Sequence, residues 1–300
     1  MFKVTKLITS GMIALLATSS IPLGIANAKS VSNKKSNSNV VTIYLARHGQ
    51  TTGNVLTLNE GWDDYPLTPK GEQVAKEVGA GLRGIKFNYA AAGKLVRHLD
   101  TIKDMLDYSG NSNVVVRETP LLREAGEGKY ELYNEKQSDE LLNKYFHVSN
   151  QNVLVKKFGI DYVNKTNQAL YEISKKHDTL PKADRAESAK QIINREAKGI
   201  KQVADATAKK NGKNALVVSS GDIIAAYLSK YDKHMSKADK KLVSNDSIPN
   251  SGVTKVYYNV KTNKVSFGKV GDLSYVNKGT KYLKNHKVKE SKFMTVQYEK

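Results

Sequence analysis

Cysteine does not occur in the 300-residue chain. That absence excludes a disulfide framework, a thiolate metal centre and a lipid anchor on cysteine, so stability must come from the core alone. Past residue 28 no stretch is long and apolar enough to cross a bilayer, which leaves no transmembrane span in a mature form. Internal repeats are absent, and no His/Cys/Asp/Glu spacing marks a metal site. Negative charge is scarce: 48 Lys and Arg stand against 29 Asp and Glu, a formal net charge of +19. Such a surface gathers near polyanions, yet the lysines are dispersed and no aromatic-interleaved basic cluster or nucleic-acid motif is present. The charge therefore fits an anionic envelope and anionic substrates, with no specific nucleic acid, and an anionic cell-wall polymer is a possible partner. A merely soluble basic surface explains it equally well.

The first 28 residues have the layout of a signal peptide. Lys3 and Lys6 form a basic start, Leu7 to Ala17 is mostly apolar, and Ala26-Asn27-Ala28 is a small-x-small cleavage site. The alternative is an uncleaved anchor, against which the run is short and broken by Thr, Ser and Pro22. Residues 29–39, rich in Lys, Ser and Asn, are expected to form a disordered leader. Export, to the medium or the cell envelope, follows as an expectation. The remainder reads as one domain over 40–276 with a helical insertion at about 137–210, followed by a basic, poorly ordered tail at 277–300.

Val40 to Ala46 is a continuous apolar run of strand length, suited to a sheet covered on both faces. Thr68 caps a helix that has Pro69 in its first turn and Val74, Val78 and Leu82 on its inner face. Strands are expected at 88–92, 113–117 and 214–219, and helices at 94–107 and 223–228. A hairpin is expected from 253–260 and 265–270, turning at Thr262-Asn263. Strands alternating with helices predict an α/β three-layer sandwich, its central sheet mainly parallel with an antiparallel edge.

The first strand ends in Arg47-His48-Gly49, at the kind of strand mouth where open parallel sheets bind ligands. A neutral imidazole with one nitrogen held by a hydrogen bond is a good nucleophile toward phosphorus. Arg47 offers a planar fork for phosphate oxygens, and Gly49 lets the backbone approach an anion. Taken alone, the triplet is equally a turn with incidental charge.

The surrounding residues change that. Arg47-His48-Gly49-x-Thr51-x-x-Asn54 is followed by the stretch Pro66 to Ala75 and by Leu95-Val96-Arg97 with Thr101. Then come Leu122-Arg123-Glu124, Gly128-Lys129-Tyr130-Glu131, Glu187-Ser188 and Arg195. Over roughly 40–135 and 185–270 this pattern resembles the histidine phosphatase superfamily, in its phosphoglycerate-mutase-like branch. The resemblance implies a phosphoglycerate-mutase-like fold and no cofactor. It implies that His48 attacks phosphorus, that Arg47 and Arg97 clamp the phosphoryl oxygens, and that Asn54 donates a further hydrogen bond. Glu124 would protonate the leaving alkoxide and then deprotonate water. A carboxyl held protonated beside a poor leaving group supports that role independently, with Glu127 as local competitor.

One departure stands out. Where the family has Ser-His-Gly after a strand, this chain has Ser219-Ser220-Gly221. Ser220 and Gly221 keep a helix N-terminus that can face phosphate, but a charged donor is lost, a change worth about 10² to 10³ in rate. His98 is expected to point elsewhere, one residue (about 100°) round the helix from Arg97. His147 and His177 lie in the insertion, and His234 and His286 on the surface. The expected activity is an exported phosphomonoesterase acting on a phosphorylated small molecule or envelope substrate. The alternative is a catalytically impaired relative that serves as a phosphate- or polyanion-binding module at the envelope.

Overall fold

The computed structural model describes residues 39–175 and 179–298. The expected signal segment, the leader up to residue 38 and His177 lie outside these. In chain order the elements are β1 (Val40–Arg47), α1 (Thr52–Leu56), α2 (Pro69–Gly81), β2 (Tyr89–Gly93), α3 (Val96–Ser109) and β3 (Val116–Thr119). There follow α4 (Glu135–Phe146), α5 (Gln151–Phe158), α6 (Tyr162–Lys175), α7 (Ala189–Lys209), β4 (Asn214–Ser219), α8 (Gly221–Tyr231) and α9 (Lys237–Ser244). The chain closes with β5 (Val253–Asn259), β6 (Val265–Phe267), α10 (Ser274–Leu283) and β7 (Val296–Tyr298).

Seven strands form one sheet in the order β6-β5-β1-β4-β2-β3-β7. The β1–β4, β4–β2, β2–β3 and β3–β7 pairs are parallel, while β5 and β6 form an antiparallel edge. Alternation along β1 explains its unbroken apolarity. Val41, Ile43 and Leu45 face α7 and α8, whereas Tyr44 and Ala46 face α2, α3 and α10. Both faces are covered, so the fold is a three-layer α/β/α sandwich with the expected mixed sheet. β1 and β4 run side by side to the pair Arg47↔Ser219, so both strand ends open at the same edge.

The helix signals act as the sequence suggests. The Thr68 hydroxyl accepts from the Gly71 N–H at 3.0 Å, and Pro69 occupies the first turn of α2. Some segments differ. The strand expected at 113–117 forms at Val116–Thr119, and the second hairpin strand stops at Phe267. The Lys-rich segment from Asn277 is not poorly ordered: it lies in α10 and then supplies β7, which pairs with β3. The reason is Tyr275 and Gly279, buried against α2, where a Cβ on Gly279 would collide with the Glu77 carbonyl. Close helix contact at a glycine outweighs the lysine content.

Glu196 on α7 is fully buried, and neither carboxylate oxygen has a hydrogen-bond partner among the described residues. Burial pushes its pKa up to about 8, with Glu124 adding to the shift and Arg195 opposing it. The folded state thus keeps a proton that the unfolded chain releases near 4.5. Between those values folding binds the extra proton, so stability falls as pH rises, by a few kcal/mol in order of magnitude. Glu196→Gln is expected to raise the thermal unfolding midpoint at pH 8.5 by several degrees and to leave it nearly unchanged at pH 4.5. Equal shifts at both pH values would contradict the assignment.

Candidate active site

Arg47 and His48 emerge at the end of β1. The His48 N–H donates to the Ser219 carbonyl at 2.9 Å, which ties the turn to the end of β4. The ring is 1% exposed, and its Nδ1 sits 2.8 Å from the Gly49 carbonyl. A carbonyl only accepts, so Nδ1 carries the proton and Nε2 is left with its lone pair. Burial, then Arg97, Arg47 and His98, holds the imidazole well below its ordinary pKa and keeps it neutral. Thr101 fixes the turn from below, accepting from the Gly49 N–H at 2.9 Å and donating to the Arg97 carbonyl at 2.7 Å.

Arg47 donates through Nη1 to the Ile248 carbonyl at 2.7 Å. Its guanidinium crosses the start of α8, where a Cβ on Gly221 would stand 3.2 Å from Cζ. A larger residue at 221 would crowd the fork, which gives the glycine a packing reason. Arg47, His48 and Glu124 line one cavity of about 170 Å³, together with Asn54, Glu60, Glu127, Asp222 and Asp246.

Glu124 is 7% exposed and accepts from the Ala125 N–H at 2.8 Å. Burial pushes its pKa up to about 7, against the pull of that hydrogen bond and of Arg97. Its loop is held rigidly. Arg195 donates to the carbonyls of Arg123 at 2.6 Å and Glu124 at 2.7 Å, and pairs with Glu187 at 2.6 Å. On the other side the Trp62 indole donates to the Glu124 carbonyl at 2.9 Å, with the Arg123 guanidinium 3.4 Å over the ring. Trp62 thus braces the loop that carries Glu124. Glu127, the competitor, is also raised well above its ordinary range, by burial and then by Glu131. Asn59 holds it at 2.8 Å.

Three expected residues sit differently from the sequence reading. Arg97 is completely buried and donates to the carbonyls of Asp63 at 2.8 Å, Glu60 at 2.7 Å and Gly61 at 2.9 Å, beside Asp64 at 3.4 Å. Its fork organises the 60–64 loop and is absent from the cavity wall, although its charge acts on both His48 and Glu124. Asn54 lines the cavity, but its amide donates to Glu60 at 2.6 Å while its oxygen accepts from Asn250 at 3.0 Å. Glu60, which also accepts from Thr51 at 2.5 Å, carried no motif in the sequence.

The third is His98, which does not point away. Its ring is fully buried, 5.6 Å centroid to centroid from His48, and its Nε2 lies 2.7 Å from the Ser220 hydroxyl. Burial and Arg97 hold this imidazole well below its usual pKa; Gly93's backbone pulls the other way, without a well-formed hydrogen bond to Nδ1. Ser220 is itself inaccessible and precedes α8 without capping it. Among the other histidines, His147 ends α4 with φ 55°, and His234 and His286 are exposed. No group of three or more His, Cys, Asp or Glu suited to a metal ion occurs among the described residues.

Comparison with known proteins agrees with this geometry. Residues 43–157 match the sequence model of the histidine phosphatase superfamily, branch 1. A 2,3-bisphosphoglycerate-dependent phosphoglycerate mutase of Bartonella henselae is 34% identical over 35% of this chain and 50% of its own length. A broad-specificity phosphatase of Saccharomyces cerevisiae is 35% identical over 29% of this chain and 38% of its own. The chain spans half or less of the length of these curated relatives. The crystal structure of phosphoglycerate mutase from Bacillus anthracis superposes with a TM-score of 0.69 at 29% identity, covering 81% of this chain and 98% of that one. With the strand order, the Arg-His-Gly turn and the position of Glu124 alongside, residues 43–157 carry the match to the histidine phosphatase superfamily, and the fold is phosphoglycerate-mutase-like.

Proposed function

We propose that this protein is an exported phosphomonoesterase that works by double displacement through His48. The observation that carries the reading is the His48 tautomer: Nδ1 bound to the Gly49 carbonyl, Nε2 free, and the ring held neutral. Nε2 attacks phosphorus as the ester bond breaks, and the departing alkoxide takes the proton of Glu124. The Glu124 carboxylate then removes a proton from water, which displaces phosphate from the imidazole. Arg47 and the N–H groups opening α8 face the phosphoryl oxygens, while buried Arg97 acts through its field.

His98 and Ser220 complete the site in this reading. Ser220 is buried off the cavity wall; its hydroxyl holds the His98 ring through Nε2 at 2.7 Å, which keeps a ring able to take up charge behind the phosphate pocket. An imidazole delivered from α3 thereby stands in for one expected at position 220. A polyanion-binding module is the poorer fit, because Glu60, Glu124, Glu127, Asp222 and Asp246 line the cavity. The basic exterior and the leader-like first 28 residues support action at an anionic envelope, outside the membrane.

Hydrolysis of alkyl and aryl phosphates by the intact chain tests the scheme, with acid-labile label trapped on the protein. Glu124→Gln is expected to slow an alkyl phosphate about 10² to 10⁴-fold and a nitrophenyl phosphate far less, since nitrophenolate leaves without a proton. With the alkyl ester the wild-type rate should fall as pH rises past about 7, where Glu124 loses its proton. Equal losses on both esters, or failure to trap label, would count against these roles.

A further inference from the structure

The cavity around His48 opens into a larger chamber of about 460 Å³, walled by α4, α6 and the Asn245–Asp246 turn. Its chemistry is opposite in sign to the molecule as a whole. The chain carries +19, yet Glu127, Glu135, Asp139, Asp222 and Asp246 line this chamber, and Arg47 is the one cation among its described lining residues. Asp246 adopts φ 48°, a left-handed conformation that a non-glycine residue holds at a cost, next to Asp222. Asn167, 5% exposed, also lines the chamber, and its amide Nδ2 has no hydrogen-bond partner among the described residues. Asp222 is held well above the ordinary carboxylate range by burial and then by Asp246, and a positive charge beside it favours the ionised form.

Resting on the phosphatase reading, we infer that the preferred substrates are monophosphate esters whose alcohol portion carries an ammonium group. The phosphoryl group occupies the small cavity at His48, the ammonium group sits among Asp139, Asp222 and Asp246, and the Asn167 amide, a donor, meets a hydroxyl oxygen of the alcohol portion. The incoming cation offsets the negative charge gathered on this wall. A substrate bearing a carboxylate, such as a phosphoglycerate, meets like charge at the same place. The acidic wall thus discriminates against the substrate class named for several relatives.

The test compares glucosamine 6-phosphate with glucose 6-phosphate, which differ by one ammonium in place of a hydroxyl, and adds 3-phosphoglycerate. For the intact protein the amino sugar phosphate should have a kcat/KM at least tenfold above the neutral sugar phosphate, with 3-phosphoglycerate lowest. Calorimetric affinities for His48→Ala should follow the same order, so the inference stays measurable without turnover. Asp139→Asn with Asp246→Asn should bring the ratio of the two sugar phosphates close to one. A ratio of one or below in the wild type, or 3-phosphoglycerate ranking first, would overturn it. Aryl phosphate hydrolysis that persists in His48→Ala would instead overturn the phosphatase mechanism and leave the binding order to decide the substrate class.

Discussion

His48→Ala is expected to abolish phosphate release from any monoester, by roughly 10⁴- to 10⁶-fold, the range seen when a covalent nucleophile is removed. Three features make the loss large. The ring has its Nε2 lone pair exposed to the cavity side by the Nδ1–Gly49 bond, so no rotation or proton loss precedes attack. Its neutral form is enforced by burial and three neighbouring cationic or imidazole groups, so nearly every molecule is competent at pH 7. And no second imidazole can replace it in line: His98 is tied to Ser220, and the remaining described histidines lie away from the cavity. The fold should survive, because His48 closes a turn held by backbone bonds to Ser219 and by Thr101. The measurements are initial rates, trapped phosphoenzyme and a melting curve. Substantial turnover in a variant that melts like wild type would remove His48 from the mechanism.

The sheet was legible in the sequence because a two-sided parallel strand has to be apolar at successive positions, as β1 and β4 are. The Arg-His-Gly turn was legible because its residues are local to one another. What could not be read was where buried charges find their partners. Arg97 satisfies its guanidinium on carbonyls 60, 61 and 63, and nothing along the chain marks that loop as its destination. His98 was misread by treating one face of α3 as the functional one. Leu95 is still extended, so Arg97 and His98 occupy the first turn, where both side chains reach past the strand ends in different directions. Glu60 and Asp246 had no motif at all, whereas Asp222, directly after the Ser-Gly turn that opens α8, was within reach of a positional reading. The tail illustrates the opposite error: lysine content concealed Tyr275 and Gly279, whose spacing is that of one helix face.

Moving the imidazole should separate a functional pair from mere packing. His98→Gln keeps much of the volume and can still donate to Ser220, but it cannot carry the charge that builds as phosphorus is attacked. Its kcat is expected to fall about 10²-fold with KM little changed, in the range for loss of one preorganised donor. Ser220→Ala should fall similarly, since its hydroxyl is the hydrogen-bond partner that holds the His98 ring. Ser220→His alone should also do poorly, because the imidazole at 98 already fills the adjoining space and bonds position 220 at 2.7 Å. The double variant His98→Ala with Ser220→His vacates that space and puts the ring back on the strand end, and it should recover to within about tenfold of wild type. A packing role alone predicts otherwise: His98→Gln would lower the melting temperature and leave kcat intact. Recovery in the double variant, together with loss in His98→Gln, is the pattern that only an exchanged imidazole produces.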